Sequence, residues 1–160
     1  THSDQALRLL IDPTDQERQI LGAIRYQENQ TVLHTDISLL PQKRRAWASW
    51  NYYLPSAQAS APTVTYNMNI LQGLTSQHAF CVSLNRQEEI DEQHIVQRMT
   101  YHHPIYDLST LGAQQRRDEI SGVHNTHYCG AYWGYGFHED GARSGIEVAE
   151  EIEKKVATIA

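Results

Sequence analysis

Cysteine is scarce in this chain: Cys81 and Cys129 are its only two. Two thiols rule out a disulfide-dense secreted scaffold. Both lie in apolar, strand-like runs, so buried free thiols in a cytoplasmic protein are expected. No apolar run approaches the ~20 residues of a membrane-spanning helix, and no signal peptide is visible. Positive charge is not in excess. The net charge is −6, and the basic residues are scattered except at Lys43-Arg44-Arg45 beside Pro41. That run reads as a solvated turn, and nucleic acid is not an expected partner. Internal repeats are absent. A serine nucleophile is not indicated either. In Gly141-Ala142-Arg143-Ser144-Gly145 the serine comes one place too late for a Gly-x-Ser-x-Gly elbow. His124-x-x-His127-x-Cys129 invites a zinc reading, but no second Cys/His pair has ligand spacing, so no metal is assigned.

What is present suits a globular chain with a real core: 160 residues, 40% hydrophobic and 20% charged. Ser3 or Asp4 caps a short helix through Leu10. Asp12-Pro13-Thr14 breaks it, and a second helix follows with Ile20, Leu21 and Ile24 on one side. Strands are expected over 25–34, 46–54, 63–69, 79–84, 94–102 and 126–131, with a polar loop at 55–62. Alternation places Trp47, Ser49, Asn51 and Tyr53 on one face of the second strand, and Trp50 and Tyr52 on the other. Asp107 caps a helix over 109–120, closed by Gly122. The final helix, 140–158, carries an apolar stripe of Ala142, Ile146, Ala149, Ile152 and Val156, expected to pack over the core. Glu150/Lys154 and Glu151/Lys155 form i,i+4 pairs on its wet side. The fold class is therefore α+β. A mainly antiparallel sheet of five to six strands carries packed helices, and the chain ends in a long helix.

The most informative stretch is Tyr128-Cys129-Gly130-Ala131-Tyr132-Trp133-Gly134-Tyr135-Gly136-Phe137-His138-Glu139-Asp140-Gly141-Ala142-Arg143-Ser144-Gly145. It reads as strand, glycine-aromatic loop, then helix N-terminus. Free amides and the helix dipole favour a phosphate or an electron-rich ring edge there. Glycine lets a bulky ligand approach the backbone. The residues alone are equally compatible with a packing turn.

This stretch resembles the C-terminal FAD-contacting motif of the flavin-containing amine oxidase superfamily. Its nearest likeness is the bacterial branch of predicted NAD/FAD-binding oxidoreductases. Val32-Leu33-His34-Thr35-Asp36, Ala46-Trp47-Ala48-Ser49-Trp50-Asn51-Tyr52 and Val64-Thr65-Tyr66-Asn67-Met68-Asn69 look like further landmarks of that branch. Thr1 to Leu7 looks like the point where the family's chain leaves its FAD domain. The Gly-x-Gly-x-x-Gly fingerprint of that domain and an initiator Met are both absent. The resemblance thus implies the C-terminal portion of a longer FAD-dependent oxidoreductase, with the N-terminal FAD fold missing. Residues 1–125 would be a substrate-domain portion, and 126–160 the last FAD-contacting strand, loop and helix, packed as one globular unit. It implies FAD contacts at Gly130, Ala131, Tyr132, Trp133, Asp140, Gly141 and Ala142. His138 stands where amine oxidases carry an aromatic cavity wall; it could shuttle a proton or be an ordinary loop residue. The parent would oxidise an organic, apolar or lipid-like substrate by hydride transfer to flavin. The isolated piece is expected to be inactive, and to dimerise through faces bared near Leu7, Leu10, Trp133 and Phe137. The reading from another class is a non-catalytic α+β binding or assembly module.

Overall fold

The computed structural model of the chain describes residues 1–54 and 63–159, so the loop expected at 55–62 lies outside the described residues. The fold is α+β, with a five-stranded antiparallel sheet and a long C-terminal helix. Two compact units make it up: Thr1–Gln27 with Pro104–Ala160, and Glu28–His103. The boundary expected at 125/126 falls inside the first of these.

The first unit is helical. Helix α1 spans Ser3–Leu9, and α2 spans Asp15–Ala23. Thr14 and Glu17 form a capping box at the start of α2, which satisfies two amides of its first turn. Asp107 caps α4 (Leu108–Gln114) by accepting from Thr110 N at 3.0 Å. The expected helix to residue 120 stops earlier and tightens into a 3-10 turn over Arg117–Glu119. Ile20, Leu21 and Ile24 from α2 meet Ala113, Ile120, Tyr128 and Tyr132 in one buried cluster. Each fully buried Ile or Leu there contributes about 1.5–3 kcal/mol. Leu7, Leu10 and Trp133 pack against this cluster, so the bared face expected around them is not there. Of that expected face Phe137 alone is exposed, at 55%; Leu9, Ile11 and Leu108 are exposed as well.

The expected strand over 126–131 does not form. Residues 127–130 are irregular, and the one pairing is an isolated bridge between Val123 and Thr126. The segment turns because its aromatics are claimed by a helical core. Tyr128 inserts against α2 and donates to Glu17 Oε1 at 2.5 Å. Cys129, expected to be buried, is exposed.

The sheet comprises β1 (Tyr26–His34), β2 (Trp50–Tyr53), β3 (Thr63–Asn67), β4 (Cys81–Leu84) and β5 (Ile95–Pro104), in the order β2-β3-β4-β1-β5. Antiparallel register aligns Trp50, Tyr66, Val82 and Leu33 across four strands, and beside them Asn51, Thr65, Ser83 and Val32. The second of these faces is buried and unusually polar. His34 Nε2 lies 2.9 Å from Ser83 Oγ, and Ser83 Oγ lies 2.7 Å from Thr65 Oγ1, all fully buried. Burial of these polar groups is tolerable because each side chain finds a partner in the next strand, although His34 Nδ1 is left without one. Trp47 is not on β2; it follows a 3-10 turn over Arg44–Ala46. A short helix α3 spans Met68–Gln72 and ends at Gly73, whose φ of 65° suits glycine.

Helix α5 runs from His138 to Ile159, starting two residues before the expected position. Its buried residues are Asp140 and Ser144. Ile146, Ile152 and Val156 are exposed, so the apolar stripe does not pack over the core as expected. Glu150 and Lys154 form the expected pair at 3.8 Å. Lys155 instead donates to Gly122 O at 3.0 Å, while Glu151 accepts from His127.

Candidate functional site

The loop from Gly130 to α5 is held almost entirely by its own backbone and three side chains, Gln114, Asp140 and Ser144. Ala131–Trp133 form a 3-10 turn, and the Ala131 carbonyl accepts from both Gly134 N and Gly136 N at 3.1 Å. Gln114, unflagged by the sequence, donates from α4 to Tyr132 O at 2.9 Å and to Gly134 O at 2.7 Å. Asp140 ties the other end. Its Oδ2 accepts from Tyr135 N at 3.0 Å and Phe137 N at 3.1 Å, and its Oδ1 accepts from Arg143 at 2.6 Å. Three donors on one carboxylate explain how an acid is buried at this position.

Ser144 clasps the start of the loop to the helix. Gly130 N donates to its Oγ at 2.9 Å, and that hydroxyl faces Gly130 O and Gly141 O. Three glycines are required by packing: a Cβ on Gly130 would stand 2.4 Å from the ring of the buried Tyr132. A Cβ on Gly134 would stand 2.4 Å from Asp140 Oδ1. One on Gly136, where φ is 87°, would stand 2.5 Å from the Tyr106 hydroxyl.

The structure brings Gly130, Ala131, Asp140 and Gly141 together, because the helix start folds back on the 3-10 turn. An added Cβ at Gly141 would meet Ala131 at 3.7 Å, an ordinary contact. Tyr132 points away into the core and is 4% exposed; burial drives its phenol pKa far up. Ala142 is exposed. The amide of Gly141 already donates to Phe137 O at 3.2 Å, and Ala142 lies one residue deeper in α5. The open first turn therefore belongs to His138, Glu139 and Asp140, two residues earlier than expected. His138 is exposed, with no hydrogen bond or ion pair among the described residues. It does not bond to Glu139 or Asp140. Tyr135 and Phe137 beside it are 76% and 55% exposed. Trp133 Nε1 is a buried donor with no acceptor in hydrogen-bonding geometry.

No protein-family model matches this chain, and no curated protein matches it. The site is therefore weighed on its geometry. For a flavin cofactor two features fit: the open first turn of α5 and the exposed Tyr135 and Phe137 beside it. The buried Asp140 carboxylate does not count against an anionic group, since its charge is already met by two amides and Arg143. For metal, the residues diverge. His127 is committed to Glu151 at 3.1 Å, and among the described residues no group of three or more His, Cys, Asp or Glu could hold an ion. A hollow lies in the sheet unit, near Asp36, Arg44 and Trp47; sequence reading missed it because its residues come from separate segments.

Proposed function

We propose that this chain is the C-terminal portion of an FAD-dependent oxidoreductase of the amine oxidase superfamily. One observation carries the reading. The opening residues 1–27 and the closing residues 104–160 fold into one unit, apart from the sheet of 28–103. That is the arrangement expected of a chain that leaves a cofactor domain, forms a substrate domain, and returns. The glycine-aromatic loop lies in the returning half.

FAD, when bound, supplies the electron-accepting ring system; the protein supplies position and electrostatics. Gly130 and Ala131 would offer backbone beside the cofactor, and the first turn of α5 its open amides and positive dipole end. The clasp of Ser144 and the anchor of Asp140 keep that turn in place. His138 stands exposed at the rim, able to hold or pass a proton. The apolar sheet face around Trp50, Tyr52 and Tyr66 suits an apolar organic or lipid-like substrate, and a cytoplasmic location suits two free thiols. Among the described residues no helix is long and apolar enough to cross a membrane.

The test is the reading frame upstream of Thr1 and the flavin content of its full product. A strand followed by Gly-x-Gly-x-x-Gly, with FAD in the purified protein, supports the proposal. A full-length product that takes up no FAD overturns it. The assembly-module reading has its own support in the exposed stripe of Ile146, Ile152 and Val156, which would seat a second copy of the chain.

A further inference from the structure

The sheet unit holds a hollow of about 500 Å³, within the range of small-molecule sites. Its wall includes Asp36, Arg44, Trp47, Asn69, His78 and His94. Asn69 comes from α3, and the others from four separate turns next to β1, β2, β4 and β5.

Their hydrogen bonds divide sharply by sign. The acceptors are engaged. Asp36 takes Ser38 N at 2.9 Å on one oxygen and Asp91 N at 3.1 Å on the other. Burial opposes its ionisation, yet these amides hold its carboxyl below the ordinary value. Asn69 accepts from Phe80 N at 2.7 Å and donates to His78 O at 2.9 Å, so its amide is fixed at both ends. The donors are open. Arg44 lies over the Trp47 ring, its Cζ 5.3 Å from the centroid, and makes no ion pair among the described residues. The Trp47 indole is itself locked by donating to Pro41 O at 2.8 Å. His94 Nδ1 lies 3.2 Å from Thr35 Oγ1, and its Nε2 has no hydrogen bond among the described residues. The ring of His78 has no hydrogen bond among the described residues.

Charge points the same way. Arg86, Arg117 and Arg143 are each paired with a carboxylate. Lys43, Arg44 and Arg45 have no such partner among the described residues, in a chain of net charge −6. The three together line a second depression of about 500 Å³, so Arg44 belongs to both hollows. Three unpaired cations on one turn, beside a cleft with open N–H donors, match an acceptor-rich anion. The concave shape and the acidic balance of the chain fit a small molecule and not a nucleic acid strand.

We infer that the hollow between the turns of Asp36, Arg44 and His78 binds a phosphate-bearing small molecule. Arg44 and the two imidazoles take the phosphate, and Trp47 walls the rest. This goes beyond the flavin reading and does not depend on it.

The test is a titration of the 160-residue chain at low salt, read by amide and indole NMR shifts. The probes are inorganic phosphate, phenyl phosphate and benzoate. Saturable shifts at the Trp47 indole N–H and the amides of His78 and His94 are expected, with phenyl phosphate binding more tightly than benzoate. Arg44→Gln should weaken phenyl phosphate about tenfold or more, the worth of a hydrogen bond to a charged group. Arg45→Gln, a matched charge loss, should weaken it only about twofold, as a distant screened charge does. Both side chains are exposed, and an unchanged spectrum elsewhere verifies the fold. Shifts that never saturate, equal losses in the two variants, or benzoate binding as tightly as phenyl phosphate would each overturn the proposal.

Discussion

Gly134 and Gly141 look alike in the sequence and differ in the fold. Gly134→Ala would drive a methyl to 2.4 Å from Asp140 Oδ1. We expect a loss of about 1–3 kcal/mol, the usual cost of overpacking, measured by chemical unfolding. Gly141 is a helical residue with room for a methyl at 3.7 Å from Ala131. Gly141→Ala should be neutral or stabilising by up to about 1 kcal/mol. In the full-length protein the same methyl should lower FAD affinity if the flavin edge comes close to that turn. Unchanged affinity would leave Gly141 a packing residue only. Glu17 and His34 each contribute to the acid response, beside Asp36 and the other carboxylates with depressed pKa values. Burial works against charge on Glu17, but hydrogen bonds from Tyr128 and Thr14 outweigh it and hold its pKa below 4.5. Burial also lowers the pKa of His34 below 6.5, against the pull of Asp36. Both folded values are depressed, so both contributions are complete above the unfolded pKa and fade as pH falls. Stability should thus decline first below about pH 6.5, then more below about 4.5. Unfolding midpoints across pH check this: His34→Gln should remove the first decline and Glu17→Gln should shrink the second.

At the level of elements, amphipathic period and capping chemistry located most of the structure. Asp107 caps α4 as its position indicates, whereas α1 begins one residue earlier than expected, with His2 and not Ser3 or Asp4 at its N-cap. Strand-like runs between turn signals located the five strands, although β2 begins at Trp50 because the basic turn ahead of it curls. Two readings failed for one reason: periodicity identifies an element without saying what it packs against. The run from Thr126 to Ala131 alternates like a strand, yet no neighbouring strand edge takes it, and Tyr128 and Tyr132 serve a helical core. The stripe of α5 has the right spacing, yet contact with the loop is made by Asp140 and Ser144 instead. Partners distant in sequence, such as Gln114 beneath the loop or the residues around Arg44, leave no local pattern to read. The stripe supplies a prediction. Ile152 is 44% exposed, so Ile152→Ala should cost less than about 1 kcal/mol, whereas Ile20→Ala in the core should cost about 2–5 kcal/mol. If the stripe seats a second copy, Ile146→Glu should turn a concentration-dependent dimer into a monomer by light scattering. A wild-type chain that stays monomeric at high concentration would remove that role.

The whole molecule divides its chain unequally between chemistry and scaffold. The unit formed by both ends holds the glycine-aromatic loop and the open turn of α5. The sheet unit holds the buried polar layer and the hollow beside Arg44. On the flavin reading, most contacts to the adenosine and pyrophosphate would come from a nucleotide-binding fold outside this chain. The 160-residue chain should therefore show no oxidase activity and bind FAD weakly or not at all by equilibrium dialysis. Tight, stoichiometric FAD on the chain alone would contradict that division. The central claim is tested most directly by the flavin content of the protein made from the complete reading frame. The account predicts one FAD per chain, retained through desalting and released on unfolding. A full-length protein that stays colourless and takes up no FAD when the cofactor is supplied would contradict it.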